Sequence, residues 1–564
     1  MCSVMNIRLI LITFSALTMI FTANQAIADA DIVYRNGKIY TVDGKRSWAQ
    51  AVAIEDGKFA YVGKNRGVKK HIGKRTKVVD LEGAFVMPGL NDLHVHAADT
   101  ETEQMYYCKK PPSPSLQQLL DAIEVCASNK NADDWVLARG WEPEIVYNHK
   151  GRPIAELLDE ASGGRPVVAI DSTYHHVIVS TKALQLVGVD RDTPDPKASR
   201  IYKDTTTGEP TGLLESAAAV MMVVGRIPLR PLAERAEIVR NAVQRMNRHG
   251  YTGFKDAAVG LKYLQAYHTV DKSGGLTARV ATSLFDANRF DMETFRDWRD
   301  SYRSERVDTR HIKISFDGVS MTKTALMLEP YPADEIHGDD WYGEKLMDQP
   351  ALNQLMAELD KEGFMVKMHA AGDGSVRMLL NAVEHMRKVN GDSGIRHECS
   401  HTFFVHPDDI KRFSPLDVIA EFSPVVWHPI PGMGKPMGEK IVATKDLLDT
   451  GTLIVTGTDW ATLWPTPSPW AGLEAMITRQ DPSGVMPGAL WPEQAVELAT
   501  TIEMYTINGA EALRLKDVTG SIEVNKSADF IVLDRNLFEI DPEDISETQV
   551  LETVFEGKTV YQAD

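Results

Sequence analysis

Four histidines, an aspartate and a lysine stand singly, or as one pair, at the ends of short apolar runs: His94 and His96, Lys313, His369, His401 and Asp459. Each run has the length and composition of a β-strand. Polar residues delivered one at a time on the ends of successive strands is how a (β/α)8 barrel builds a catalytic centre at its carboxyl-terminal face. A bundle or a sandwich has no comparable way to gather six such positions.

The rest of the pattern agrees. Candidate barrel strands fall at 84–93, 251–256, 278–284, 311–317, 364–369, 395–401, 417–422 and 453–459, with helical spacing between them at 352–361 and 375–388. Eight strands alternating with helices predict an α/β fold with a closed, TIM-type barrel. Residues 31–87 read instead as hairpins, around Asn36-Gly37 and Asp56-Gly57. The C-terminus repeats that grammar around Glu556-Gly557. Each end is too small for a core, so residues 29–87 and 515–564 are expected to share one β-sandwich. The barrel then spans 88–514, and an insertion of about 100–245 forms a lid or pocket wall.

Residues 1–28 are expected to be a secretory signal peptide. Arg8 is the only charge before an apolar run at 9–23, and Ala26-Ile-Ala28 offers a small-x-small cleavage site. The alternative is an uncleaved anchor helix. The expected location is periplasmic or secreted, with no stable membrane insertion after cleavage. Export makes a Cys108–Cys126 disulfide feasible without requiring it, and Cys399 reads as a buried small hydrophobe. A formal charge of −18 argues against a nucleic-acid partner. The expected partner is a small-molecule substrate.

His94-Val95-His96 places two imidazoles on one face of a strand, about 7 Å apart at ~3.3 Å per residue, which suits one metal ion. His369 and Asp459 each close a strand, and a carboxylate so placed is costly unless paired or metal-bound. His401 is the better ligand of its strand, and His397, deeper on the same face, the structural one. Lys313 faces inward with Ser315 and Asp317. Carboxylated by CO2 it would bridge two cations; otherwise it forms an ion pair with Asp317. Together these residues predict a metal-dependent hydrolase.

The run Val86-Met-Pro-Gly-Leu-Asn-Asp-Leu-His-Val-His96 resembles the first-strand motif of the amidohydrolase superfamily. More narrowly, the chain resembles the YtcJ-like, amidohydrolase-3 branch, which includes N-substituted formamide deformylases. Asp171-Ser-Thr-Tyr-His175, Pro210-Thr-Gly-Leu-Leu-Glu215, Ile312-Lys-Ile-Ser-Phe-Asp-Gly318, His369-Ala-Ala-Gly-Asp373, Arg396-His-Glu-Cys-Ser-His401 and Gly457-Thr-Asp-Trp460 carry that likeness. It implies a distorted barrel beside a composite sandwich and one or two divalent metals, usually zinc. The implied ligands are His94, His96, carboxylated Lys313, His369, His401 and Asp459. The chain departs from the branch at Asp92-Leu93, where Asp-Ser is common, at Ser400, where a glutamate is expected, and at Gly374, where arginine is expected. Many members form homodimers; no feature of this sequence decides the point.

The chemistry so implied is attack of a metal-bound hydroxide on an amide-type carbonyl, with Asp459 moving the proton to the departing nitrogen. An amide, an N-substituted formamide or an N-acyl compound would serve. The same site would suit an ester, lactone or phosphoester, and a protein that only binds metal or solute is the non-enzymatic alternative. His175 or His176, from the insertion, would bind the oxyanion or substrate, or else form a structural pair. Trp141, Trp427, His428, Trp460, Trp464 and Trp470 either wall an apolar or aromatic pocket or anchor loops. Residues 429–440 would be a mobile cover.

Overall fold

The computed structural model describes residues 29–564, apart from 112–113, 172–175, 197–198, 216, 287–288, 321–322, 334–337, 425–426, 428–441 and 461–464. The expected signal peptide, His175, His428, Trp464 and the 429–440 segment lie outside the described residues. Among the described residues no helix is long and apolar enough to cross a membrane.

Eight parallel strands form the central sheet: β1 Leu90–Val95, β2 Tyr251–Val259, β3 Arg279–Leu284, β4 Val307–Ser315, β5 Met365–Ala370, β6 Glu398–His401, β7 Ile419–Phe422 and β8 Ile454–Thr456. Neighbours in the sequence are neighbours in the sheet, from β1 through to β8. The first and last strands meet beyond the end of β8: Asp459 N donates to His94 O (2.7 Å) and His96 N to Trp460 O (3.1 Å). Asp92 reinforces this seam, accepting from His94 N (3.0 Å), Thr458 N (3.2 Å) and Thr458 Oγ1 (2.6 Å). Leu93, Ala281, Met365, Ile419 and Val455, from five different strands, pack into one apolar cluster. Side chains from strands so far apart meet only inside a barrel. The fold is therefore an α/β TIM-type barrel, as the alternating pattern predicted, with helices such as Gln349–Lys361 and Asp373–Asn390 on its outside.

The expected first strand, 84–93, is divided at Gly89. Phe85–Pro88 belongs to a six-stranded sheet with Lys38–Tyr40, Trp48–Ala49, Phe530–Leu533, Val550–Phe555 and Lys558–Gln562, and only Leu90–Val95 enters the barrel. A four-stranded sheet of Lys58–Gly63, Ala51–Glu55, Ile32–Arg35 and Lys77–Asp80 faces it. The two share a core containing Tyr34, Ile54, Phe59, Val86, Phe530 and Val554.

The turns at Asp56-Gly57 and Glu556-Gly557 do close hairpins, with positive φ at both residues of each. Asn36-Gly37 does not. Ile32–Arg35 pairs with strands of the four-stranded sheet and Lys38–Tyr40 with strands of the six-stranded one, so this turn carries the chain between sheets.

After β1 the chain builds a separate five-stranded sheet in the order Arg200–Lys203, Pro210–Glu215, His176–Val179, Val167–Asp171, Val136–Trp141. Apolar clusters cover both its faces. A Cys108–Cys126 disulfide, with Cα atoms 5.3 Å apart, staples the helix Leu116–Ser128 to the segment entering this unit. Cys399 is free and buried, and burial pushes its thiol up to about 12, which makes it inert.

Candidate metal centre

His94, His401 and Asp459 arrive from β1, β6 and the turn after β8, all buried, and each offers a ligand atom within 4.8 Å of the others. His96 joins them through Asp459, whose Oδ1 lies 3.5 Å from His96 Nε2 and 3.8 Å from His94 Nε2. Lys313 Nζ lies 3.5 Å from His94 Nε2. The His369 ring sits 4.4 Å, centroid to centroid, from that of His401, which is 4.5 Å from His94. All six residues singled out in the sequence thus converge at the carboxyl ends of the strands.

Local backbone geometry shows how the strands end here. His401 and Asp459 have φ of 73° and 51°, a left-handed conformation that is uncommon for residues with a Cβ and is concentrated at functional sites. Gly457 has to be glycine for a different reason. A Cβ there would meet Cβ and the backbone nitrogen of His94 at 2.5 Å, because β8 passes directly against the first histidine. Gly457→Ala is expected to push β1 and β8 apart. Isothermal titration of the metal-free protein with zinc should show affinity lower by at least tenfold; wild-type affinity would refute the steric argument.

Electrostatics favour neutral imidazoles. Burial, then the cations of Lys367 and Lys313, hold His94 well below its usual range. Burial and the neighbouring His369 and His94 rings do the same for His401, and desolvation with the Lys313 charge takes His96 down to about 4. A metal ligand needs this deprotonated form. Lys313 is itself lowered to about 8, first by burial and then by Lys367.

Two carboxylates orient the histidines: Asp317, which the sequence set beside Lys313, and Glu421, which it did not single out. Asp317 does not pair with Lys313. It accepts His369 Nδ1–H (2.7 Å), the backbone N–H groups of Leu326, Ala371 and Gly372, and the Ser375 hydroxyl (2.7 Å). With the Nδ1 proton committed, His369 Nε2 is left as an acceptor. Glu421, on β7, sits 2.8 Å from His94 Nδ1 and accepts from Ser400 Oγ (2.8 Å). Opposed by burial but outweighed by Lys367, its carboxyl is held down to about 2 and is an ionised acceptor. Nδ1 of His94 therefore carries the proton, and Nε2 is the free nitrogen. The signal for Glu421 was a lone carboxylate in the buried run Ile419-Ala-Glu-Phe422.

His401 Nδ1 is buried and has no hydrogen-bond partner among the described residues. Such an atom is costly, and a cation beside it would remove the cost. Imidazole nitrogens and a carboxylate at these separations fit a divalent metal such as zinc.

The other expectations fare differently. His176 has both ring nitrogens engaged inside the inserted sheet, Nδ1 with Asp171 (3.1 Å) and Nε2 with the Tyr147 hydroxyl (2.9 Å). His397 bonds Asp360 and the Val366 amide deep in the barrel. Trp141, Trp427, Trp460 and Trp470 are at most 2% exposed, packed side chains that do not stand open at the barrel mouth.

The Amidohydrolase family model matches residues 77–561. An N-substituted formamide deformylase from Arthrobacter pascens is 27% identical over 552 residues, covering 94% of this chain and 98% of that protein. Among solved structures, an uncharacterized metal-dependent hydrolase from Pyrococcus furiosus superimposes with a TM-score of 0.71 at 21% identity, covering 91% of this chain and 99% of the other. An adenosine deaminase from Xanthomonas campestris, solved with zinc bound, reaches 0.52 at 13% identity over 94% and 93% of the two chains. A match that begins in the N-terminal sheets, runs through all eight barrel strands and ends in the last strand leaves one assignment: the chain belongs to the amidohydrolase family.

Proposed function

We propose that this protein is an exported, metal-dependent amidohydrolase that opens the amide-type C–N bond of an N-substituted formamide or N-acyl compound. The reading is carried by one observation, the buried convergence of His94, His401 and Asp459, each with a ligand atom within 4.8 Å of the others. The formamide deformylase, similar along 94% of this chain, supports the amide-type substrate class.

His94 and His96 present neutral nitrogens, and His401 a third. Bound there, a divalent ion would polarise a carbonyl and acidify a water. Asp459 Oδ1, beside both histidines of β1, is placed to take a proton from that water and return it to the departing amine. Lys313, lowered to about 8 by burial and Lys367, gives up its proton more readily than an ordinary lysine, and the neutral amine is the form that adds to CO2. As a carbamate it becomes another carboxylate facing His94. The segment 1–28 would direct export and be removed.

The test is metal analysis and turnover on protein purified with bicarbonate, using N-substituted formamides and N-acyl amines as substrates. One or two zinc ions per chain are expected, with amine release that a chelator abolishes and zinc restores. Lys313→Ala should lose at least one metal where two are bound. Amine release unaffected by complete metal removal would refute the reading, as would a metal-loaded protein inert on amides but active on esters. N-terminal sequencing of exported protein should begin near Asp29.

A further inference from the structure

Beneath the histidines the barrel interior holds four charged side chains of alternating sign, each from a different strand: Lys255 on β2, Glu398 on β6, Lys367 on β5 and Glu421 on β7. None has any exposed surface. Lys255 and Lys367 each bond one oxygen of Glu398, and Lys367 also reaches Glu421 Oε2 at 3.1 Å. The series ends on that same oxygen, which faces His94 Nδ1, takes the Ser400 hydroxyl and accepts the backbone N–H of His401 at 3.2 Å.

A barrel interior is ordinarily filled by branched apolar side chains. A dry ionic series is a poor way to stabilise one, because desolvating the charges offsets their attraction and apolar replacements often do as well. Stability alone therefore does not account for it. What the series does locally is specific. It holds one carboxylate oxygen at the point where the side chain of one candidate ligand and the main chain of another can both be gripped. His94 is fixed in rotation and tautomer, and His401 is held by its backbone N–H in a left-handed conformation uncommon for residues with a Cβ.

We propose that Glu421, held in place by Lys367, is the positioning residue that presets His94 and His401 for metal before any metal arrives. The proposal rests on the metal-site reading above. It gives the buried charges a task that neither a proton acceptor nor a structural ion pair would perform. Carboxylates that hold a ligating histidine in this way typically change metal affinity by 10–100-fold.

The test measures the metal-free chain. Zinc affinity is determined by competition with a chromophoric chelator for the wild type, Glu421→Gln and Glu421→Ala, with thermal unfolding of each apo-protein alongside. In parallel, ¹⁵N NMR of histidine side chains reports the tautomer of His94. The expected result is a protonated Nδ1 in the wild type, a mixed or reversed tautomer in the variants, and zinc affinity lower by about 10–100-fold in Glu421→Ala. Glu421→Gln, which keeps the shape and one acceptor, should fall between, and answers the question if the alanine variant does not fold. Folded variants that bind zinc within twofold of the wild type would overturn the proposal. A wild type that binds no zinc but shows the fixed tautomer would sink the metal reading while leaving the positioning contact in place.

Discussion

Asp459→Asn should lower kcat by about a hundredfold to ten-thousandfold with zinc saturating, and leave the fold unchanged. The position has φ of 51°, a conformation asparagine tolerates nearly as well as aspartate, so the strand end is not disturbed. What changes is the chemistry. An amide oxygen can still face His96 and His94, but it cannot accept a proton or contribute a negative charge to a cation. Zinc affinity should fall as well, so turnover has to be measured with the metal in excess. Steady-state kinetics with circular dichroism on the same samples decides it. Activity above a tenth of wild type at saturating zinc would remove Asp459 from the proton path and leave it a ligand at most.

Glu398→Leu should be the most destabilising single change inside the barrel, by about 3–5 kcal/mol, because it strips the carboxylate from two buried lysines at once. Lys367 keeps Glu421, but among the described residues Lys255 is left with the Met365 sulfur at 3.9 Å. Adding Lys255→Met removes the orphaned charge and should recover most of the loss. Urea unfolding of the single and double variants provides the comparison. A double variant no more stable than Glu398→Leu would mean that packing, and not an uncompensated charge, sets the cost.

The residues that were readable in the sequence share a property: each announces itself locally. His94, His369, His401 and Asp459 break apolar runs at their ends, where a barrel presents its chemistry. Glu421 breaks such a run as well, but its meaning depends on Lys367, Ser400 and His94, none of them near it in the chain. Asp317 was noticed only as an alternative partner for Lys313. Its alternation with Lys313 suggested an ion pair, yet the turn after β5 brings backbone N–H groups and His369 to the carboxylate instead. Asn36-Gly37 failed for the opposite reason. Its local chemistry favours a hairpin, and pairing with distant strands overrode it. Of the tryptophans expected at the barrel mouth, Trp470 opens a helix and Trp141 ends a strand of the inserted sheet, and composition cannot say which way a ring faces.

The division of one strand run at Gly89 also sets an order of events during synthesis. Phe85–Pro88 lies between Lys38–Tyr40 and Phe530–Leu533, and the chain continues after one residue into the strand that carries His94 and His96. The anchor for the first two histidines is thus completed by a strand made near the very end of translation. Until Phe530–Leu533 pairs with Phe85–Pro88, the sheet that fixes where β1 begins is incomplete. Metal loading would then be the last step of maturation, and trimming the C-terminus, however far it lies from the histidines in sequence, would yield a protein that folds in part and holds its ion poorly.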